Sequence, residues 1–317
     1  MAGATTESWL REAVVTIGAG DSFEGYRPGR SFSALSDTNA ARKITFTINN
    51  NISEQPNSSV ISLYNLSREN RAYIEGELAG KEVILEVGYA GQSPGLSQIF
   101  RGDIYRATSA RKGTDWVTTI ESGDGIAAYR DGAISITSGP GQSYLHLLQR
   151  AAESMGLSLD TTAADLEALG RQILNGRTFH GSSHEFIRRI CRSTGNSWSI
   201  QLGVVQILQE GGASGASAIR VSPATGLIGT PAPVKTKIRF ESTRRRRRGS
   251  SRSSRSNEDE GGVEVTSLLN PQIYPGALVQ VESSSVNGNF VAKKVLHSGD
   301  TVGDTWETRM SLFELGE

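Results

Sequence analysis

Apolar and polar residues alternate through much of the first third of the chain. From Arg42 to Ile48 the period is two, which puts Ile44, Phe46 and Ile48 on one face of a strand. Val60, Ile61 and Leu63 mark a second strand from Ser59 to Tyr64. Val83, Leu85, Val87 and Tyr89 share one side of a third, from Glu82 to Tyr89. Two more strands are predicted at Gln98–Ala107 and Trp116–Glu121. Ser67 is a suitable N-cap for one short helix ending at Gly76 or Gly80. The pattern predicts a β-barrel or sandwich that carries one helix and ends near residue 127.

The period then changes. Tyr144, Leu148, Ala151, Ala152 and Met155 recur every three or four residues, and Gly156 stands where a C′ glycine belongs. Ser182 to Glu185 reads as a capping box before the helical stripe Phe186, Ile187, Ile190, Cys191 and Thr194, which Gly195 stops. Ser197–Gln201, Leu202-Gly203 and Val204–Leu208 read as a hairpin. Residues 128–209 are therefore expected to form a small α+β domain. The last third returns to strands at Ala218–Val221, Val234–Phe240, Val263–Ser267, Ala277–Glu282, Phe290–His297 and Thr305–Phe313. Pro275-Gly276 and Asn287-Gly288 are predicted turns between them. The expected fold class is mainly β, with β domains at 1–127 and 210–317 flanking the α+β domain.

Composition adds little to this picture but narrows the setting. The 36 glycines favour tight turns, and 33 basic against 33 acidic residues give no global attraction to nucleic acid. Cys191 is the only cysteine, so no intramolecular disulfide can form and no oxidising compartment is needed. No signal peptide is expected at the N-terminus, and no apolar run approaches membrane-spanning length. A soluble product that folds in a cytosol and does not insert into membranes is expected.

Candidate chemistry is sparse. His180 and His184 are four apart without an HExxH frame, and Cys191 alone cannot complete a structural zinc set, so no metal or cofactor is expected. Gly211 to Gly215 lacks the lysine and strand–helix context of a phosphate loop, and no GxSxG elbow occurs. Asp103, Asp115, Glu121 and Asp124 cluster in sequence, but Asp124-Gly125 is the composition of a turn. No set of residues fills the roles of a catalytic site, and no enzyme activity is expected.

One segment breaks the pattern. Residues 243–262 carry Arg244, Arg245, Arg246, Arg247, Arg248, Arg252 and Arg255 among serines, followed by Glu258, Asp259 and Glu260. Seven arginines against three acids leave this segment at +4 and the remainder of the chain at −4. With nothing apolar to bury it is expected to be a disordered loop between two strands. It is either a solvated, self-repelling loop or an arm for phosphate contact; lacking aromatic residues, such an arm would read backbone and not sequence.

Several segments together resemble a known family. They are Ile61 to Ser67 with Arg71 and Ile74, then Gly88 to Gly91 and Ile99 to Ile104. In the middle they are Gln142 to Met155, Arg177 to Gly181 and Gly195 to Ile200. Toward the end they are Thr225 to Pro231, Ser267 to Pro271, Tyr274 to Gly276, Asn287 to Phe290, His297 to Thr301 and Trp306 to Thr308. In order and number these resemble the central baseplate hub proteins of contractile phage tails, the late control protein D or tube-to-spike adaptor family. The arginine segment has no counterpart in that pattern.

The resemblance implies two tail-tube-like β domains per chain and a homotrimer whose six similar domains form a ring. One face of that ring would meet the sixfold tail tube or a tube-initiator protein, the other the threefold spike, with further baseplate proteins around it. It implies a structural protein of the virion baseplate, assembled in the host bacterial cytoplasm, or of a related bacteriocin or secretion apparatus. The arginines would then meet passing DNA in the lumen, an acidic partner or a neighbouring baseplate protein. Two rival readings are an anion- or nucleic-acid-binding accessory acting through Arg244 to Arg255, and a cell-wall hydrolase.

Overall fold

The computed structural model describes residues 10–19, 29–33, 43–78, 80–90, 95–209, 211–234 and 262–314. The chain opens with β1 (Arg11–Ala19), β2 (Arg30–Ser33), β3 (Ile44–Asn51), β4 (Ser58–Tyr64), α1 (Arg68–Glu75), β5 (Lys81–Tyr89), β6 (Ser97–Lys112) and β7 (Asp115–Gly123). Ile44, Phe46 and Ile48 on β3 and Val83, Leu85 and Val87 on β5 are buried, as their alternation requires. They join Val15 and Ile17 of β1, Phe32 of β2 and Ile120 of β7 in a first apolar core. The Ser67 hydroxyl accepts from the Asn70 N–H at 3.2 Å to cap α1, and Ile74 buries into the sheet. β1 and β2 are additions to the sequence reading, although Ala13, Val15 and Ile17 alternate as cleanly as β3 does.

The middle of the chain runs α2 (Ile126–Asp131), β8 (Ala133–Ser138), α3 (Tyr144–Ser154), β9 (Ser158–Ala163), α4 (Leu166–Gly170), β10 (Arg177–Ser182), α5 (Ser183–Thr194), β11 (Asn196–Gln201) and β12 (Val204–Gln209). Leu147, Leu148, Ala151 and Ala152 of α3 meet Ile187, Ile190 and Cys191 of α5 over Trp198 and Ile200, forming a second core. Gly156 and Gly195, at φ +70° and +67°, end α3 and α5 in the left-handed conformation. The capping box expected at Ser182 does not form: Ser182 makes no side-chain cap bond. It is the last residue of β10, paired with Ala133, and Glu185 turns instead toward Arg188 and Arg189.

The final strands are β13 (Ser214–Val221), β14 (Leu227–Pro233), β15 (Gly262–Leu268), β16 (Ala277–Glu282), β17 (Asn287–Asp300) and β18 (Trp306–Glu314). Val265, Val279, Val281, Phe290, Val295, Met310 and Leu312 line a third core. Tyr274 to Ala277 form a turn closed by Ala277 N–H on the Tyr274 carbonyl at 3.0 Å, with Gly276 at φ +92°. Asn287-Gly288, read as a turn, is instead the start of β17; the turn lies at Ser283–Val286, and the Asn287 side chain accepts from the Ser283 N–H. Of the strand expected at Val234–Phe240, residues 235–240 lie outside the described residues. β14 occupies the preceding stretch, where the sequence reading placed no strand.

Two halves of the large sheet repeat one plan. The path β1-β5-β6-β7-β4-β3 recurs as β13-β16-β17-β18-β15-β14, with the strands in the same chain order. Neighbours are antiparallel, save β13 with β16, which are parallel. Both long strands bulge at the matching place, between Ile104 and Arg106 in β6 and between Ala292 and Lys294 in β17. The halves join where β17 pairs with β3, from Lys294 opposite Asn51 to Asp300 opposite Thr45, so that 13 strands form one sheet. The first and third cores remain distinct clusters, but Leu269, just after β15, and Trp306 of β18 pack into the first.

Candidate assembly surfaces

The α+β unit is bolted to the first β half through the tip of the β11–β12 hairpin. Leu202 and Gly203, at φ +54° and +80°, form its two-residue turn. Their N–H groups donate to the Asp124 carboxylate at 2.5 and 2.8 Å. Asn57 donates to the Ile200 carbonyl at 3.0 Å and to the Gln201 side chain at 2.9 Å, and Gln201 donates back to the Asn51 carbonyl. Arg188 pairs with Glu54 across the same junction. Burial pushes the Asp124 carboxyl up to about 7, opposed by the two backbone donors.

The sequence cluster of carboxylates therefore separates in space. Asp103 and Asp124 line one cleft with Glu82 and Arg101, whereas Asp115 accepts from Asn65 at the far hairpin tip and Glu121 pairs with Arg106. Both Asp124 oxygens face backbone donors, which makes the residue a fastener. The histidines scatter as well. His180 is exposed, His184 stacks on Tyr129 at 4.2 Å, and His297 is buried between Thr308 and the Ile273 carbonyl. Burial pulls His297 down to about 4, so it is neutral, donating from Nε2 to Ile273 and accepting at Nδ1 from Thr308. Burial, with the Glu54 charge, pushes the Cys191 thiol up to about 12. Among the described residues no group of three or more His, Cys, Asp or Glu is placed to hold a metal.

Arg244, Arg245, Arg246, Arg247, Arg248, Arg252 and Arg255 lie outside the described residues. Their flanks pair with each other: Pro233 is opposite Val263, and Val234 N–H donates to the Gly262 carbonyl at 2.9 Å. The segment thus leaves and re-enters at one hairpin mouth, between an end strand of the sheet, β14, and its neighbour β15.

Several sheet edges carry no further strand among the described residues. Among the described residues β2 and β14 end the main run of the 13-stranded sheet, and β13 ends the branch that leaves it through β16. The outer part of β6, past its pairing of Asp103 with Glu82, has β7 on one side and no strand on the other among the described residues. Exposed Tyr105 and Trp116 stand on this hairpin and exposed Ile228 on β14. Sequence reasoning missed all three; the available signal was an aromatic residue beside the polar turn at Gly113-Thr114-Asp115. Arg71 lies over the Trp116 ring at 3.8 Å.

No protein-family model and no curated protein matches the sequence. Solved structures do match over nearly the whole chain. The 43 kDa tail protein of prophage MuSo2 from Shewanella oneidensis aligns with TM-score 0.60 at 12% identity, covering 95% of this chain and 98% of that one. The tail protein from Neisseria meningitidis MC58 aligns with TM-score 0.62 at 12% identity, covering 95% and 96%. An E. coli component of the type VI secretion system, described as structurally similar to the T4 phage tail proteins gp27 and gp5, aligns with TM-score 0.55 at 9% identity, covering 87% and 74%. The chain has the mainly β fold of these phage tail and secretion-system proteins, with a large antiparallel sheet and few helices.

Proposed function

We propose that the chain is the central hub of a phage tail baseplate, or of a related injection machine, and works as a homotrimer joining a sixfold tail tube to a threefold spike. The observation that carries this reading is the repeated strand plan, β1-β5-β6-β7-β4-β3 and β13-β16-β17-β18-β15-β14. Two like units per chain let three chains present six, which is the symmetry such a joint needs. Tail proteins and a secretion component of the same fold support it.

In this reading residues 1–127 and 210–317 make the ring and the tube contacts, and residues 128–209 support them from the side. The role rests on surfaces, with no turnover. The arginines from Arg244 to Arg255 serve as an accessory contact for a polyanion, either DNA in the lumen or an acidic baseplate partner. The protein belongs to the virion baseplate and assembles in the host cytoplasm.

Mass and binding test the reading together. Sedimentation of the full chain is expected to give three times the protomer mass, and the trimer to bind its tube and spike proteins. A chain that stays monomeric at high concentration and binds neither partner refutes it.

A further inference from the structure

The internal joint between the two halves is the pairing of β17 with β3. β17 reaches β3 only with its outer part, Lys294–Asp300, beyond the segment that pairs with β16. The registers align the two halves residue by residue across their bulges: Ile104 and Ala292 stand opposite Ser122 and Leu312, and Arg106 and Lys294 opposite Glu121 and Ser311. On that alignment Lys294–Asp300 corresponds to Arg106–Lys112, directly after the matching bulge. The β6 segment is the one whose second edge is open among the described residues. β3, which receives β17, corresponds to β14, an end strand.

The tryptophans make the same point. Trp306 of β18 corresponds to Trp116 of β7, each five residues before matched Ser311 and Glu121. Trp306 crosses the internal joint into the first core, edge-on to Phe46 at 5.5 Å and Tyr89 at 6.4 Å, and is 3% exposed. Trp116 has the same position on β7, beside the open edge of β6, and is 40% exposed. Arg71, stacked on it, has a buried Nε with no hydrogen-bond partner. The Trp116 ring and the open edge of β6 lie side by side, so one strand added there would cover both.

We infer that the outer edge of β6, Arg106–Lys112, joins β14 of a second copy of this chain, with Trp116 buried at that joint as Trp306 is at the internal one. This rests on the trimeric reading above and adds which edges meet. Matching β3 to β14 through Ile44/Leu63 and Leu227/Ser267 puts Lys112 opposite Ile228 of the next chain. The ladder is shorter than the internal one. Val234 N–H faces β15, so Pro233, one residue earlier, faces the open edge without a donor, and β14 is irregular between Ile228 and Ala232. Pairing is therefore confined to the Leu227 end, a restriction that also discourages unrelated strands from adding. The joint is heterologous, and the internal half-step repeated around three chains closes a ring.

The test is a full-length chain carrying Lys112→Cys and Ile228→Cys, oxidised and run without reductant. A ladder of covalent dimer and trimer is expected, with neither single variant producing it; Cys191 is buried and does not compete. Separately, Trp116→Glu should raise at least tenfold the concentration needed for half-assembly, while Leu166→Glu, an exposed apolar position on α4, should leave it unchanged. A parent chain that sediments as a trimer while the double variant fails to cross-link overturns the edge assignment and leaves the trimeric reading standing. A parent chain that sediments as a monomer overturns both.

Discussion

The N–H of Gly203 donates to the carboxylate of Asp124 at 2.8 Å, linking positions 79 residues apart. Burial raises this acid from 3.8 to about 7. A raised acid contributes stability that is complete below its unfolded value and gone once pH has risen through its folded value. At about 1.4 kcal/mol per pK unit the contribution is at most about 4 kcal/mol, lost between pH 3.8 and about 7. His297 has the opposite sign: lowered from 6.5 to about 4, it contributes stability above pH 6.5 that is lost as pH falls through 4. The two offset each other over much of this range. In Asp124→Asn the unfolding midpoint is therefore expected to rise more steeply from pH 4 to 6.5 than in the parent. Thermal unfolding across that range checks it, and parallel profiles would refute it.

Leu202 holds φ +54° in the turn beside Asp124, a conformation that costs a β-carbon-bearing residue about 1 kcal/mol. Asn before Gly is the favoured pair for such a turn. Leu202→Asn is expected to stabilise the fold by roughly 0.5–1 kcal/mol, read from denaturant midpoints at constant m-value. Loss of stability would show that the Leu202 side chain matters more than its backbone.

Gly299 pairs with Phe46 on one side and Trp306 on the other. A methyl group there would run into the Phe46 ring, in the contact that joins the two halves. Gly299→Ala is expected to cost about 1–3 kcal/mol by overpacking, measured as a shift in the unfolding midpoint. A neutral result would mean that the ring moves freely, against its edge-on contact with Trp306.

The hairpin mouth at Pro233 and Val263 predicts the effect of removing the arginines. Replacing residues 236–260 by a short Gly/Ser turn should leave the secondary structure unchanged, and with it the mass of the proposed trimer. It should abolish the salt-sensitive part of binding to heparin or duplex DNA, followed by titration at several salt concentrations. Loss of the trimer would make the segment part of the assembly surface itself.

Much of the fold was legible because it is written locally. Alternation in β3 and β5, the Ser67 cap, the Gly156 and Gly195 stops and the Leu202-Gly203 hairpin all act within a few residues. A pair of β domains was expected, but the residue-by-residue match between the two halves was not legible, because it resides in register: Trp116 and Trp306 match while Ser109 faces the place of His297 and Arg111 that of Gly299. β14 was hidden because its Pro and Gly residues describe an open edge as readily as a turn. Asp124 was readable as a turn residue but not as a fastener, since its donors lie on a distant hairpin.

The junction of β17 with β3 also bears on mechanics. A pull along the strands loads every rung from Lys294–Asn51 to Asp300–Thr45 simultaneously, in shear, whereas a pull across them would open the rungs one after another. A machine whose wall is built from such seams withstands sliding far better than peeling, and its weakest direction is the one that separates neighbouring strands sideways.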